Sequence, residues 1–247
     1  MKSPIRNEKL KKLTILTGIC ACLIIIPIAI ITGIVRAASG PEEVPAVSVE
    51  DIVSPTETTL AEGEVTSKGY KIEVVDGVTF INGILVVNKT YSLPKNYNPG
   101  DLTEDTQKAF EKMREAADKE GIRLWVQSGF RSYDRQKELY DRYDEERGTE
   151  YADAYSARPG YSEHQSGLSF DVNEAGTNFE ETKEGQWIEK HAHEYGFIIR
   201  FPEGKAKFTG YEFEPWHLRY VGEELAKELT DNDLCLEEYL GITSEYK

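Results

Sequence analysis

Four side chains in two short segments have the types and spacing of a metal-dependent hydrolytic centre. His164 and Asp171 stand seven residues apart in Ser-Glu-His-Gln-Ser-Gly-Leu-Ser-Phe-Asp (162–171), and Glu214 and His217 follow in Glu-Pro-Trp-His (214–217). Gly167 lets the backbone turn between the first pair without steric cost. Residues 168–172 then alternate loosely, as a strand entering a core does. A histidine on the turn and an aspartate on the strand can meet at one ion. A catalytic zinc site uses three protein ligands and keeps one position open; His164, Asp171 and His217 meet that count. Glu214, just before His217, then has the place of the base that deprotonates water. On a regular strand, residues i and i+3 face opposite sides. Pro215 argues for a bend that turns both inward, with Trp216 packed beneath His217. Each residue alone has an ordinary structural explanation. All four together, each beside Gly, Pro or Trp, favour a site. His191 and His193 lie on an exposed-looking helix and are assigned no role.

Arg131 follows Gly129 and Phe130 at a strand end. Its fork matches a carboxylate, so it can hold an anionic substrate group; an ion pair with one of the many acids is the equal alternative. Gln136 can face the same pocket or solvent. Ser156 belongs to a donor-rich loop, Tyr-Ser-Ala-Arg-Pro-Gly-Tyr (155–161). There it can bond a substrate carboxylate or simply close a turn.

These residues need a frame, and the chain supplies one between about residue 70 and the end. Asp76-Gly77 and Asn82-Gly83 separate apolar runs as hairpin turns do. Asp101 or Thr103 caps a helix to about Lys119, with Phe110, Met113 and Ala117 inward and Gly121 as its stop. Residues 122–127 read as a buried strand. Ser132 caps a second helix from Tyr133 to about Arg147, and a short helix covers 150–154. Residues 182–195 form an amphipathic helix with Trp187, Ile188 and Ala192 inward. Residues 197–201 and 216–220 read as strands, and 221–229 as a helix. Helices and strands mix without regular βαβ alternation, so the class is α+β.

The 247 residues carry a net charge of −15. Residues 1–36 hold six basic side chains and one acidic, which leaves −20 for the remainder. A domain that acidic does not seek nucleic acid by charge. Residues 13–35 are 23 uncharged residues, about 34 Å as a helix and enough to span a bilayer. Five basic residues precede them, which keeps the N-terminus inside and exports the rest. A cleaved signal peptide is the alternative, with a poor cleavage signal at 35–37. Residues 1–36 are therefore expected as tail and anchor. Residues 37–69, rich in Pro, Glu, Ser and Thr, are expected as a disordered spacer, and 70–247 as the extracytoplasmic domain. Cys20 and Cys22 lie in the apolar run and only Cys235 outside it. The exported part thus has no internal disulfide and no CxxC zinc pattern. The Asn88-Lys89-Thr90 sequon carries no weight, since such matches are frequent by chance.

The two site segments resemble the SxHxxGxxxD and ExWH motifs of VanY-like zinc D,D-carboxypeptidases, the M15 peptidases. Residues 128–136, 155–161 and 195–202 are similar to that family as well, and the likeness covers about residues 80–225. It implies the Hedgehog/D,D-peptidase fold, a small central antiparallel sheet flanked by helices. It implies Zn2+ on His164, Asp171 and His217, and Glu214 as catalytic base. Arg131 matches the arginine that meets substrate or oxyanion, and Gln136 and Ser156 match positions that hold the terminal D-Ala. Phe201 departs from the tyrosine expected in many relatives, which bears on substrate preference. The implied reaction removes the terminal D-Ala from peptidoglycan stem pentapeptides; apart from the resemblance, the chain is expected as a monomer held at the cell membrane by its N-terminal helix. The alternatives are an L,D-carboxypeptidase acting on tetrapeptide stems and a non-catalytic zinc-containing binding module.

Overall fold

The computed structural model describes residues 64–246 apart from 175 and 177. The expected spanning segment, 13–35, lies outside the described residues, as does most of the spacer. No helix among the described residues is long and apolar enough to cross a membrane. Order begins before Tyr70: Thr66 is buried and its backbone N–H donates to the Tyr70 carbonyl (2.9 Å).

The architecture is α+β with two small antiparallel sheets rather than one. The first is a meander of β1 (Ile72–Val75), β2 (Val78–Ile81) and β3 (Ile84–Leu85). Its turns hold Asp76-Gly77 and Asn82-Gly83, all four residues at positive φ. Such turns match the twist of the flanking strands, which is why this composition forms a hairpin. The second sheet has the order β4 (Val126–Ser128), β5 (Ser169–Val172), β7 (Glu214–Tyr220), β6 (Phe197–Phe201).

The helices follow the expected caps closely. α1 (Glu104–Lys119) starts at Thr103, whose side chain accepts from the Thr106 N–H; α2 (Tyr133–Arg147) starts at Ser132, which accepts from Arg135. Each hydroxyl satisfies one orphan donor of the first turn. α3 covers Thr149–Tyr155. The amphipathic stretch expected over 182–195 is α4 (Lys183–His191) followed by a 3-10 turn, Ala192–Tyr195. α5 (Ala206–Thr209) and α7 (Leu236–Leu240) are additions, and α6 runs over Glu223–Asp231.

Two strand expectations change. The strand expected over 122–127 is observed as Val126–Ser128, with a register shift against β5 inside it; just before it, the Trp125 N–H donates to the Asn173 side-chain Oδ1 (3.1 Å) instead of to a ladder carbonyl. β7 begins at Glu214 rather than Trp216 and runs through Pro215. Pro215 is tolerated because the β6–β7 register also shifts: Ile199 faces Leu218, yet Phe201 faces Glu214. Two steps along β6 therefore oppose four along β7, and a bulge replaces the expected bend.

One face of the second sheet, with Phe170, Val172, Phe197 and Leu218, packs on α1 and α4 through Phe110, Met113, Trp187 and Ile188. The other face carries Ser169, Asp171, His217 and Arg219. A second apolar cluster joins Ile81, Val86 and Ile198 to α6 and α7 through Leu229, Leu236 and Leu240.

Candidate active site

The register of β5 and β7 builds the centre. Asp171 and His217 are direct cross-strand partners, so their side chains stand side by side on one face. His164 comes from the 3-10 turn Glu163–Ser166, immediately before β5. That turn ends at Gly167, which adopts φ 72°. A Cβ there would sit 2.7 Å from the Asp101 carbonyl oxygen, so only glycine closes this corner. The result is that one ligand atom each from His164, Asp171 and His217 lies within 4.8 Å of the others.

Both rings are aimed from behind. His164 Nδ1 lies 2.8 Å from the Gly129 carbonyl oxygen, which leaves Nε2 toward Asp171 Oδ2 at 3.4 Å. His217 turns Nδ1 to Asp171 Oδ1 at 3.1 Å, while its enclosed Nε2 has no hydrogen-bond partner. Two imidazoles and a carboxylate are a zinc donor set with room for a fourth ligand, and the residues fit that ion. Burial alone would lower the His217 pKa, but the Asp171 and Glu163 carboxylates outweigh it and push it up to about 9. Burial would raise the Asp171 carboxyl; the neighbouring histidines hold it well below its usual range instead. Burial lowers His164.

Glu214 Oε2 lies 3.8 Å from His217 Nδ1 across the bulge. The bulge, not a bend, brings both to one side. Burial raises the Glu214 carboxyl above its ordinary value, which makes the carboxylate a stronger proton acceptor. Glu214, Arg131, Gln136 and Ser156 line one cavity of about 310 Å³ with the three ligands.

The expected substrate-binding residues form a relay. Arg131 donates from Nη1 to Gln136 Oε1 (2.9 Å) and from Nη2 to Ser128 Oγ (3.1 Å), with Asp171 Oδ2 at 3.9 Å. Gln136 is buried and donates from Nε2 to Ser156 Oγ (3.0 Å) and to the Ala157 carbonyl (2.7 Å). Both Gln136 N–H groups are therefore spent within the protein. Ser156, accepting from Gln136, keeps its own O–H free for the cavity. Arg131 lines the cavity beside Asp171 instead of pairing with an acid at the surface, and burial lowers its pKa.

Other expectations fare differently. Phe201 tilts against His217, ring centres 5.0 Å apart, and against Tyr211 at 4.6 Å. His191 is not an exposed bystander: it lies against Trp187 and meets Glu194 at 3.0 Å. Asn88, the sequon asparagine, is buried and donates to Glu237 and to the Thr243 carbonyl. Residues missed in the sequence are Tyr211, which lines the cavity, and Glu163, which lies 3.9 Å from His217 Nε2. Neither has a spacing signal of its own; Glu163 sits inside the first motif and is hidden among 44 acids.

The VanY family model, described as D-alanyl-D-alanine carboxypeptidase, matches residues 100–223. YodJ of Bacillus subtilis (strain 168) is 43% identical over 196 residues, 68% of this chain and 72% of that protein. The structure of the LdcB LD-carboxypeptidase superposes with a TM-score of 0.65 at 44% identity, over 72% of this chain and 98% of that one. The vancomycin-resistance D,D-pentapeptidase VanY from a VanB-type cassette, in complex with Zn(II), gives 0.56 at 31% identity, over 63% and 97%. Motif, register and relatives agree over the same residues, and the chain belongs to the VanY family of D-alanyl-D-alanine carboxypeptidases.

Proposed function

We propose that this chain is a zinc D,D-carboxypeptidase that removes the C-terminal D-Ala from peptidoglycan stem pentapeptides. One observation carries the reading: His164, Asp171 and His217 converge within 4.8 Å at a cavity that Glu214 and Arg131 also line. His164 Nε2, an Asp171 carboxylate oxygen and His217 Nδ1 would hold the ion. Bound zinc supplies Lewis acidity, which polarises the scissile carbonyl and acidifies the attacking water. Glu214 takes the water proton and returns it to the departing amine. Arg131, held by Gln136 and Ser128, faces the negative charge that develops on the carbonyl oxygen. Ser156 donates its free hydroxyl to the substrate's terminal carboxylate, which makes the enzyme an exopeptidase. Gln136 orients that hydroxyl.

A second reading, release of D-Ala from tetrapeptide stems, draws support from the greater identity to the L,D-carboxypeptidase than to the D,D-pentapeptidase. Phe201 at the cavity wall belongs to the same question. Mass spectrometry of products from separate pentapeptide and tetrapeptide stems, with and without chelator, decides between them. D-Ala release from pentapeptide alone, abolished by chelator, is expected; release from tetrapeptide alone gives the second reading. Glu214→Gln should keep zinc and lose turnover by about 10²–10⁴-fold; wild-type turnover in that variant removes Glu214 as base.

The further proposal concerns placement. Residues 1–36 anchor the chain in the membrane with the catalytic domain outside, where stem peptides lie; secretion after cleavage is the alternative.

A further inference from the structure

We propose that Glu163 is a positioning residue that holds the proton of His217 on Nε2, so that Nδ1 is presented to the metal. The inference rests on the reading of His217 as a zinc ligand.

Glu163 is buried, its side chain 3% exposed. A carboxylate there persists only if its oxygens are satisfied. Oε1 accepts from Arg200 Nε (2.8 Å) and from Arg219 Nη1 (2.9 Å). These guanidiniums are themselves fixed. Arg200 makes a two-pronged contact with Glu237 (2.8 and 2.5 Å), and Arg219 donates from Nη2 to the Leu85 carbonyl (2.7 Å). Two arginines and two glutamates, all buried, balance in charge. With Oε1 pinned by two cations, the carboxylate cannot rotate, and Oε2 points at two donors. One is Ser169 Oγ at 2.9 Å. The other is His217 Nε2 at 3.9 Å, a buried nitrogen that has no hydrogen-bond partner.

An imidazole ligates through the nitrogen that lacks a proton, so ligation through Nδ1 requires the proton on Nε2. A buried N–H needs an acceptor, and Glu163 Oε2 faces it. Closing the gap to hydrogen-bond length takes a shift of about 1 Å. His164 shows the same division with the nitrogens exchanged: Nδ1 donates to the Gly129 carbonyl and Nε2 is presented. The two partners differ in kind. A carbonyl only orients the ring, whereas a carboxylate also makes it a more basic ligand. The arginine clamp carries this control to α7 through Glu237 and to Asn88, which donates to Glu237 Oε1 at 3.1 Å.

Glu163→Gln tests the assignment. The amide must place its NH2 either against the two guanidiniums or against Ser169 and His217. The cations retain the oxygen, so the NH2 meets His217 Nε2 and favours the proton on Nδ1, the ligating atom. The full-length protein in detergent is titrated with zinc against a chromophoric chelator. A 10–100-fold loss of zinc affinity is expected for Glu163→Gln, with Glu163→Asp intermediate. Long-range 1H–15N correlation of zinc-loaded wild type should show His217 metallated on Nδ1 and protonated on Nε2. Metal on Nε2, or unchanged affinity in Glu163→Gln, overturns the proposal; if that variant does not fold, Glu163→Asp carries the affinity test, and wild-type affinity in it overturns the proposal. His217→Ala separates the two readings. Zinc bound by it at wild-type affinity removes His217 as a ligand. Zinc lost in it but retained in Glu163→Gln removes only the role of Glu163.

Discussion

At the scale of residues, the relay from Arg131 through Gln136 to Ser156 changes what each member is expected to do. Gln136 has both N–H groups engaged, with Ser156 Oγ and the Ala157 carbonyl, and its oxygen receives Arg131. Gln136→Glu would put a carboxylate oxygen against Ser156 and draw the serine proton away from the cavity. The substrate's terminal carboxylate then loses a donor and gains a negative neighbour. KM for the stem peptide should rise about tenfold or more, while zinc affinity stays within twofold; steady-state kinetics and a chelator titration check both. Unchanged KM would mean that Ser156 does not hold the carboxylate. The four chemical residues were legible in the sequence because Gly167, Pro215 and Trp216 flank them in two compact motifs. Glu163 was not. Its meaning comes from Arg200 and Arg219, 37 and 56 residues along the chain, which only the folded sheet brings to it.

At the scale of elements, caps and turn residues were readable, and ladder irregularities were not. Thr103, Ser132 and the Asp-Gly and Asn-Gly turns act locally, so local sequence reports them. The truncated β4 and the bulge under Glu214 depend on pairing with strands distant in sequence. Gly167 joins the two levels: its φ of 72° and the Asp101 oxygen 2.7 Å from an added Cβ both demand glycine. Gly167→Ala should lose about 1–3 kcal/mol of stability and weaken zinc binding, since the turn that carries His164 must shift. Thermal unfolding of apo and zinc-loaded protein measures both, and a wild-type melting temperature in each form would refute the strain. The start of α7 gives a pH-dependent case. Burial pushes the Cys235 thiol up to about 12. The raised value contributes stability below about pH 8.5, the ordinary thiol value, and that contribution is lost as pH climbs towards 12. With Cys20 and Cys22 changed to Ser, a disulfide reagent at pH 8 should modify native Cys235 on the order of a thousandfold more slowly than the unfolded chain. Equal rates would place the thiol in contact with solvent.

At the scale of the whole molecule, charge and apolarity are divided along the chain, and the division argues for how the enzyme meets its substrate. Residues 37–247 carry −20, so anionic lipid repels them. The proposed anchor places lasting membrane association in the uncharged residues 13–35, helped by the basic residues before them. Hydrophobic insertion and charge-based adsorption respond oppositely to salt, which screens surface charge beyond about 3 Å at 1 M. The full-length chain should stay with membranes through a 1 M salt wash and be released only by detergent. Protease added outside intact spheroplasts should remove the catalytic domain. N-terminal sequencing of the retained protein should still find residues 1–36. Release by salt would remove the anchor; protection from external protease would reverse the topology; a mature N-terminus near residue 37 in the medium would establish secretion after cleavage. The retained, externally exposed outcome puts a zinc carboxypeptidase beside the wall precursors it is proposed to trim.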